Sequence, residues 1–361
     1  MTHVPWTEEE VRSLASIGTG AKDTKDRVAG GKYPFFVRSQ KVERIDSWSF
    51  DGEAVLTAGD GVGTGKVFHY IHGKFDYHQR VYRISNFRSD MSGRYFFYQF
   101  SQNFLARIES LTAKSSVDSV RMETIAGMRI PVAERAEQDR IVEAIDDADV
   151  LIATLERLIA KKQAIKQGMM QQLLTGRTRL PGFTGEWVNR RLGDVLTVRH
   201  GRNQSAVESS SGTVPILATG GQIGWADRPL YSKPSVLIGR KGTIDRPQYQ
   251  SRPFWTVDTL FYTEIAATAD PKFLFYLFQT IDWRSMNEAS GVPSLSSTRV
   301  ESVEVQLPDL AEQTVVRQNL DDADAEISAL DTRLTKARAI KTGMMQQLLT
   351  GRTRLPVEVT E

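Results

Sequence analysis

The chain has 361 residues, 40% hydrophobic and 25% charged, enough apolar material for two or three globular cores. Its 46 Lys and Arg against 44 Asp and Glu leave a formal charge of +2, so a nucleic-acid partner must be met by local clusters and not by an overall field. With no cysteine, disulfides and thiolate chemistry are excluded. No apolar run approaches the roughly 18–20 residues of a membrane span. The opening Met1–Glu10 lacks a signal-peptide pattern, so a cytoplasmic protein is expected.

Residues 1–133 read as short β runs separated by turns, with an aromatic helix around Arg94–Phe104, an α+β domain. Its glycine-rich stretch Gly59–Val67 fails as a phosphate loop, since Asp60 and Val67 stand where Gly and Ser or Thr are required. A turn that lets backbone approach a ligand, or a plain hairpin turn, are its two readings. His69, His72 and His78 read as strand histidines and not as metal ligands.

Residues 134–176 read as a helix about 60 Å long. Apolar steps of four and three run through Ile141, Ile145, Ala148, Ile152, Leu155 and Ile159, a heptad seam, and are extended through Ile165, Met169 and Leu173. Gly176 and Pro181 mark its end. Gly168, inside the helix, implies either a break or a close approach by the other helix or a partner.

Residues 177–308 form a second α+β domain that aligns loosely with the first. Trp6 matches Trp187, Val11 Leu192, Ile17 Val198 and Gly20 Gly201. Tyr33–Val37 resembles Val214–Ala218, and Glu53–Thr57 parallels Pro234–Ile238. Pro271–Gln279 is the second aromatic helix. The loop matching Gly59–Val67 is Gly239–Thr243.

Residues 309–351 repeat the long helix through Val316, Leu320, Ala323, Ile327, Leu330 and Leu334, then Ile340, Met344 and Leu348, with Gly343 inside it. The stretch Gly168–Pro181 recurs letter for letter at Gly343–Pro356, half a chain length later. Ala136-Glu137-Gln138 recurs as Ala311-Glu312-Gln313, and Asp146–Asp149 as Asp321–Asp324. The chain is therefore two copies of one unit. A pseudo-two-fold pairing would bury both seams by setting the helices antiparallel, with the globular domains at opposite ends of a rod. The tail, 352–361, should then lie near the N-terminus, Val357–Glu361 against Met1–Pro5.

Tandem divergent domains, each followed by a heptad helix ending in Met-Gln-Gln-Leu-Leu-Thr-Gly-Arg-Thr-Arg-Leu at Met170–Leu180 and Met345–Leu355, resemble the specificity subunit of type I restriction–modification systems. The resemblance covers essentially the whole chain. It implies a non-catalytic DNA-binding subunit in which each target-recognition domain reads one half of a bipartite site. The paired helices would set the spacing, about one turn of DNA or somewhat more, and dock two methyltransferase (modification) subunits. Restriction subunits would complete the complex. No cofactor is implied for this chain; S-adenosylmethionine belongs to the partner methyltransferase. The alternative is a coiled-coil scaffold with two protein-binding domains.

The residues themselves agree with the leading reading. No Asn-Pro-Pro-aromatic methyltransferase signature and no recognisable Ser/His/Asp spacing is present. Asp146-Asp147 and Asp321-Asp322 read as solvated helix faces or partner contacts. Loop residues of suitable chemistry are the DNA-contact candidates. In the first domain these are Lys22, Lys25, Arg27, Arg38, Ser39, Gln40, Lys41, Lys66, Tyr77, His78 and Gln79. In the second they are Arg199, His200, Arg202, Asn203, Gln204, Thr219, Gln222, Arg240, Lys241 and Arg246.

Overall fold

A computed structural model describes residues 5–111 and 119–355. The chain packs as two compact units, one of Met1–Thr154 with Arg333–Glu361 and the other of Leu155–Thr332. This division by packing cuts each long helix, whereas the sequence repeat leaves the helices whole. Among the described residues no helix is long and apolar enough to cross a membrane.

In the first unit a six-stranded sheet runs in the order Ser16–Thr19, Val81–Ser85, Phe50–Ala58, Phe68–Tyr77, Tyr33–Phe36, Glu43–Ile45. Only Tyr33–Phe36 lies parallel to its neighbour Phe68–Tyr77, Phe36 opposite Tyr77. The second unit carries the same order as two sheets. Leu196–Arg199, Leu260–Ile265, Ser235–Gly239 and Gln248–Gln250 form one; Gly221–Ala226, Val214–Ala218 and Trp255–Thr256 form the other. Val214–Ala218 likewise lies parallel to Trp255–Thr256, Leu217 opposite Thr256. The strand that is continuous over Phe68–Tyr77 is thus split in the second unit. Pro253 explains the split, because proline cannot donate to a ladder and constrains the residue before it. A short antiparallel pair closes each unit, Thr7–Glu10 with Arg129–Val132 and Val188–Arg191 with Glu304–Leu307.

The long helices span Arg135–Leu173 and Leu310–Leu348, each unbroken. In the first unit Asp149 pairs with Lys341 and Glu137 with Arg354. In the second Lys162 pairs with Glu326, Lys166 with Asp324 and Arg179 with Glu312. In both, one partner's number rises as the other's falls, so the helix segments run antiparallel. Ile141, Ile145, Leu155, Ile159, Val316, Leu320, Leu330 and Leu334 are buried, and Ala148, Ile152, Ala323 and Ile327 half-buried, as the seam requires.

Ile165 and Ile340 do not continue the seam: they are 45% and 50% exposed. From Ile159 to Ile165 is a step of six, which leaves the four-three rhythm. The regular positions are filled instead by Lys162 and Lys166, and by Ala337 and Lys341, with the lysines neutralised by acidic side chains across the pair. Gly168 and Gly343 neither break their helices nor receive the other helix, since a Cβ at either would meet open space.

Each seam is capped by an aromatic helix. In the first unit Tyr95, Phe96, Phe100 and Phe104 of Gly93–Leu111 pack with Val55, Ile84, Ile141, Ile145 and Leu348. In the second, Phe273, Tyr276 and Phe278 of Pro271–Phe278 pack with Val236, Phe261, Leu173, Val316 and Leu320. Burying each such ring contributes about 1.5–3 kcal/mol.

The repeated polar letters make the same bonds twice. The Tyr98 hydroxyl donates to Asp146, and that of Tyr276 to Asp321 and Asp324 at 2.7 Å each. Burial and these bonds raise both phenols above their ordinary range, so they remain donors. Burial pushes Asp321 upward, yet Lys272, Tyr276 and Arg317 outweigh it and hold its carboxyl below the usual range. Asp146 and Asp321 are therefore structural bonds and not solvated faces; only Asp147 and Asp322 are exposed. Gln138 accepts from the Ser92 amide at 2.8 Å, and Gln313 from the Asp270 amide at 2.9 Å.

Glu137 and Glu312 are 1% and 2% exposed. Arg354 grips Glu137 from Nε and Nη2 at 2.5 and 2.6 Å, and the Trp6 indole donates to it at 3.0 Å. Arg179 grips Glu312 at 2.5 and 2.6 Å, and Trp187 donates at 3.2 Å. The described end of the chain thus lies beside Trp6, with the Arg354 guanidinium 5.4 Å from its ring. The expected meeting of Val357–Glu361 with Met1–Pro5 falls outside the described residues, save Pro5.

Removing Glu137 as Glu137→Ala leaves a guanidinium and an indole N–H without their acceptor and should cost about 3 kcal/mol in denaturant unfolding, with Glu312→Ala acting in the same direction on the second unit. Gly168→Ala and Gly343→Ala fill open space on a regular helix. Each should stabilise the chain by about 1 kcal/mol, raising the melting temperature by about 2–4 °C; a fall on calorimetry would contradict the open geometry.

Candidate nucleic-acid interface

Gly20 and Gly201 begin the site in the two units. A Cβ on Gly20 would come 1.9 Å from the Tyr77 carbonyl oxygen, and one on Gly201 1.9 Å from that of Val257. Only glycine lets the chain press so closely on the neighbouring strand. The residues that follow each glycine are thereby laid along one end of the sheet.

In the first unit Lys22 accepts the Gln79 amide at its carbonyl, 2.8 Å, and bridges His78. The Phe36 carbonyl accepts the His78 amide at 2.9 Å, which brings Arg38 to the same end. Arg38 pairs with Asp60 at 2.9 Å, and Arg80 reaches the other oxygen of Asp60 at 3.5 Å. Lys22, Arg38 and Gln79 therefore converge with Asp60 and Arg80, two residues the sequence reading missed. Arg80 needed only one more residue of loop beyond Gln79. Asp60 meets Arg38 across 22 residues, a pairing with no local signal.

The remaining candidates are held around this edge or away from it. Lys25 lies exposed in the turn Thr24–Asp26 capped by Asp23. Arg27 and Lys41 both face Glu43, at 3.9 and 3.0 Å. Ser39 donates to the Lys41 carbonyl and Gln40 to that of Phe68. Lys66 is exposed on the loop between Phe50–Ala58 and Phe68–Tyr77. That loop is a hairpin connection, and Gly63 lets it approach the Arg38 backbone, where a Cβ would fall 2.4 Å from the carbonyl oxygen.

Tyr77 and His78 are not surface contacts. Tyr77 is 4% exposed, its ring tilted against Phe75; His78 is 3% exposed and its Nδ1 accepts the Arg80 amide at 2.9 Å. Tyr77 ends the strand Phe68–Tyr77, whose last three residues are all buried, and His78 is held just beyond it by the Phe36 carbonyl, a burial that loop composition alone did not show. Burial holds the His78 and His69 imidazoles below their ordinary pKa, and His69 Nε2 lies 3.1 Å from the Ser39 carbonyl. His72 is exposed on the same strand. Among the described residues no group of His, Cys, Asp or Glu is placed to hold a metal ion.

The second unit repeats the edge with other letters. The Arg202 amide donates to the Thr256 carbonyl at 2.8 Å, and the Trp255 indole to the Arg202 carbonyl at 2.8 Å. Asn203 turns its Oδ1 onto the Ser205 amide, and the Gln204 carbonyl accepts from Val207. The Leu217 carbonyl accepts the Val257 amide at 3.0 Å, carrying Thr219 to this end. The Arg240 amide donates to Thr259, as the Gly59 amide does to Arg80 in the first unit, and Arg240 Nη1 donates to the Asp258 carbonyl at 3.3 Å. Lys241 is exposed beside it, and Gly242 lies against Thr219. Arg202, Thr219, Arg240 and Lys241 are brought together; Gln222 is exposed on the edge strand Gly221–Ala226. Arg199 is tied to Glu264 at 2.9 Å, and the exposed His200 ring stands edge-on to Phe261. Arg246 is exposed near Asp245, with Arg284 beyond, neither of which the sequence singled out.

One framework thus presents two edges of Arg, Lys, Asn and Gln that differ in nearly every letter. Such side chains can form bidentate bonds to base edges and hold phosphates. Comparison with known proteins agrees with the duplicated framework. Residues 3–167 and 184–337 both match the family described as the type I restriction modification DNA specificity domain. The type I restriction enzyme EcoDI specificity subunit of Escherichia coli is 30% identical over 164 residues, 45% of this chain and 35% of that protein. The MjaVIII specificity subunit of Methanocaldococcus jannaschii is 21% identical over 341 residues, 83% of this chain and 79% of that protein. The chain therefore matches about a third of the length of the first relative and about four fifths of the second. In fold it is similar to the crystal structure of the type I restriction–modification S subunit from M. genitalium, with a TM-score of 0.69, 18% identity and coverage of 95% and 96% of the two chains. With two copies of the matching domain along its length, the chain belongs to the family of type I restriction–modification DNA specificity proteins.

Proposed function

We propose that this chain is the DNA-recognition subunit of a type I restriction–modification complex, itself without catalytic activity. Each unit's edge reads one half of a bipartite duplex site. The observation that carries the reading is the pairing of a shared framework with unlike edges at the same place in the repeated fold. A protein reading two different half-sites needs that combination. Arg38 and Arg80 in one unit and Arg202 and Arg240 in the other supply guanidinium forks suited to guanine, and Lys22 and Lys241 suit phosphates.

Two methyltransferase subunits dock on the identical helix segments, bringing S-adenosylmethionine as their own cofactor, and restriction subunits join them. Support for this docking comes from Ile165 with Gly168 and Ile340 with Gly343. Each pair lies three residues apart on one helix face, solvent-exposed or open, and each occurs in the same form in both copies. An exposed isoleucine beside a glycine offers a shallow apolar seat for a partner helix or loop.

The test is to map adenine methylation in cells that carry this chain with its modification partners. Replacing residues 1–133 by the corresponding segment of another family member should change one half of the methylated motif and leave the other half. A motif unchanged in both halves sinks the reading. Ile165→Glu should leave one modification subunit bound per chain, and Ile165→Glu with Ile340→Glu none, by mass measurement of the purified complex. Capture of two subunits by the double variant would refute this docking face.

A further inference from the structure

Within the second unit the loop Gly242–Arg246 and the loop around Asn287–Pro293 enclose a recess of about 470 Å³. It adjoins the edge described above, because Gly242 lines it and also lies against Thr219. Its walls are fixed by backbone: the Gly242 amide donates to Pro293 at 2.8 Å and the Leu295 amide to Arg240 at 2.9 Å. Asn287 is spent on the same loop, its Oδ1 accepting the Ala289 and Ser294 amides.

The chemistry inside is a carboxylate bonded to one guanidinium, with a second arginine on the next residue lining the same recess. Arg284 Nε donates to Asp245 Oδ2 at 2.6 Å, leaving Oδ1 as an acceptor. The bond from Arg284, with Arg246 nearby, holds the Asp245 carboxyl below its usual range, so it is ionised and can only accept. Arg246 is exposed and lines the recess, and among the described residues no hydrogen bond or ion pair holds its guanidinium. A free five-donor fork beside a carboxylate that can only accept matches one base pair in the major groove. Guanine offers two adjacent acceptors, O6 and N7, and its cytosine partner offers the N4 amino donor. An A·T pair presents a single acceptor on each side of its donor and a methyl group, which leaves the fork half-used.

We propose that this recess reads one G·C pair of the half-site bound by the second unit, with Arg246 on guanine and Asp245 on the cytosine amino group. Arg284 is the positioning residue that aims the carboxylate. The proposal rests on the DNA-recognition reading above. It is tested on the complete chain assembled with its modification subunits, by methylation mapping of genomic DNA and by binding to duplexes carrying each single-base change of the mapped site.

The wild-type motif should hold a fixed G·C pair that Asp245→Asn and Arg246→Gln both relax, lowering discrimination at that single position about tenfold or more while other positions stay fixed. Arg246, being exposed and unbonded, keeps the test open should Asp245→Asn impair folding. An unchanged motif in both variants overturns the proposal and leaves the reading intact. So does a uniform loss of affinity at every position with a shallower salt dependence, the mark of a phosphate contact. A complex with no motif dependent on this chain overturns both.

Discussion

The structure depends on a buried carboxylate gripped by an arginine and an indole, made once in each unit. Glu137 and Glu312 are carried on the long helices, and each finds its arginine on the stretch that follows the other long helix. An ionised carboxylate withdrawn from water is tolerated only with such bidentate pairing, so the contact is strongly directional. It ties three segments distant in sequence: the start of the globular part, the start of one helix and the end of the other. Around it the seam leucines and isoleucines and the aromatic helices supply apolar burial, whereas the carboxylate sets the register. That division explains why the repeated letters are a mixture of apolar seam and specific polar residues.

The two units show how far one framework can diverge without changing topology. Pro253 divides a strand that is continuous in the other unit, yet the strand order and the parallel pairing survive. The aromatic helix shortens from Gly93–Leu111 to Pro271–Phe278, yet a tyrosine from each still donates to the equivalent aspartate. The contacts kept are those to the long helices. The contacts altered are those at the far end of each sheet, where Asp60 holds Arg38 and Arg80 in one unit and Arg202, Arg240 and Lys241 gather in the other.

Much of this architecture is legible in the residues alone. The duplication, the antiparallel helices, the α+β class and the matches of Trp6 with Trp187 and Gly20 with Gly201 follow from letters and spacing, and the structure gives each matched pair the same environment. What spacing does not carry is pairing across long separations. Asp146 and Asp321 look like surface acids until Tyr98 and Tyr276 arrive from another helix. Ile165 and Ile340 look like seam residues unless the four-three rhythm is counted through the lysines. Tyr77 and His78 have the composition of a loop but sit at a strand end that is buried on both faces. Asp245 lies on a loop and Arg284 on the short 3-10 helix Trp283–Met286, and only folding brings them within 2.6 Å.

Gly20 and Gly201 carry a consequence for redesign. Each is locked by a carbonyl that leaves no room for a methyl group, while the residues immediately downstream, Ala21 and Lys22 or Arg202 and Asn203, are exposed or half-exposed. A library built to vary these edges can therefore randomise the few positions after each glycine and leave the glycine itself untouched. The anchor that forbids change at one residue is what licenses change at its neighbours.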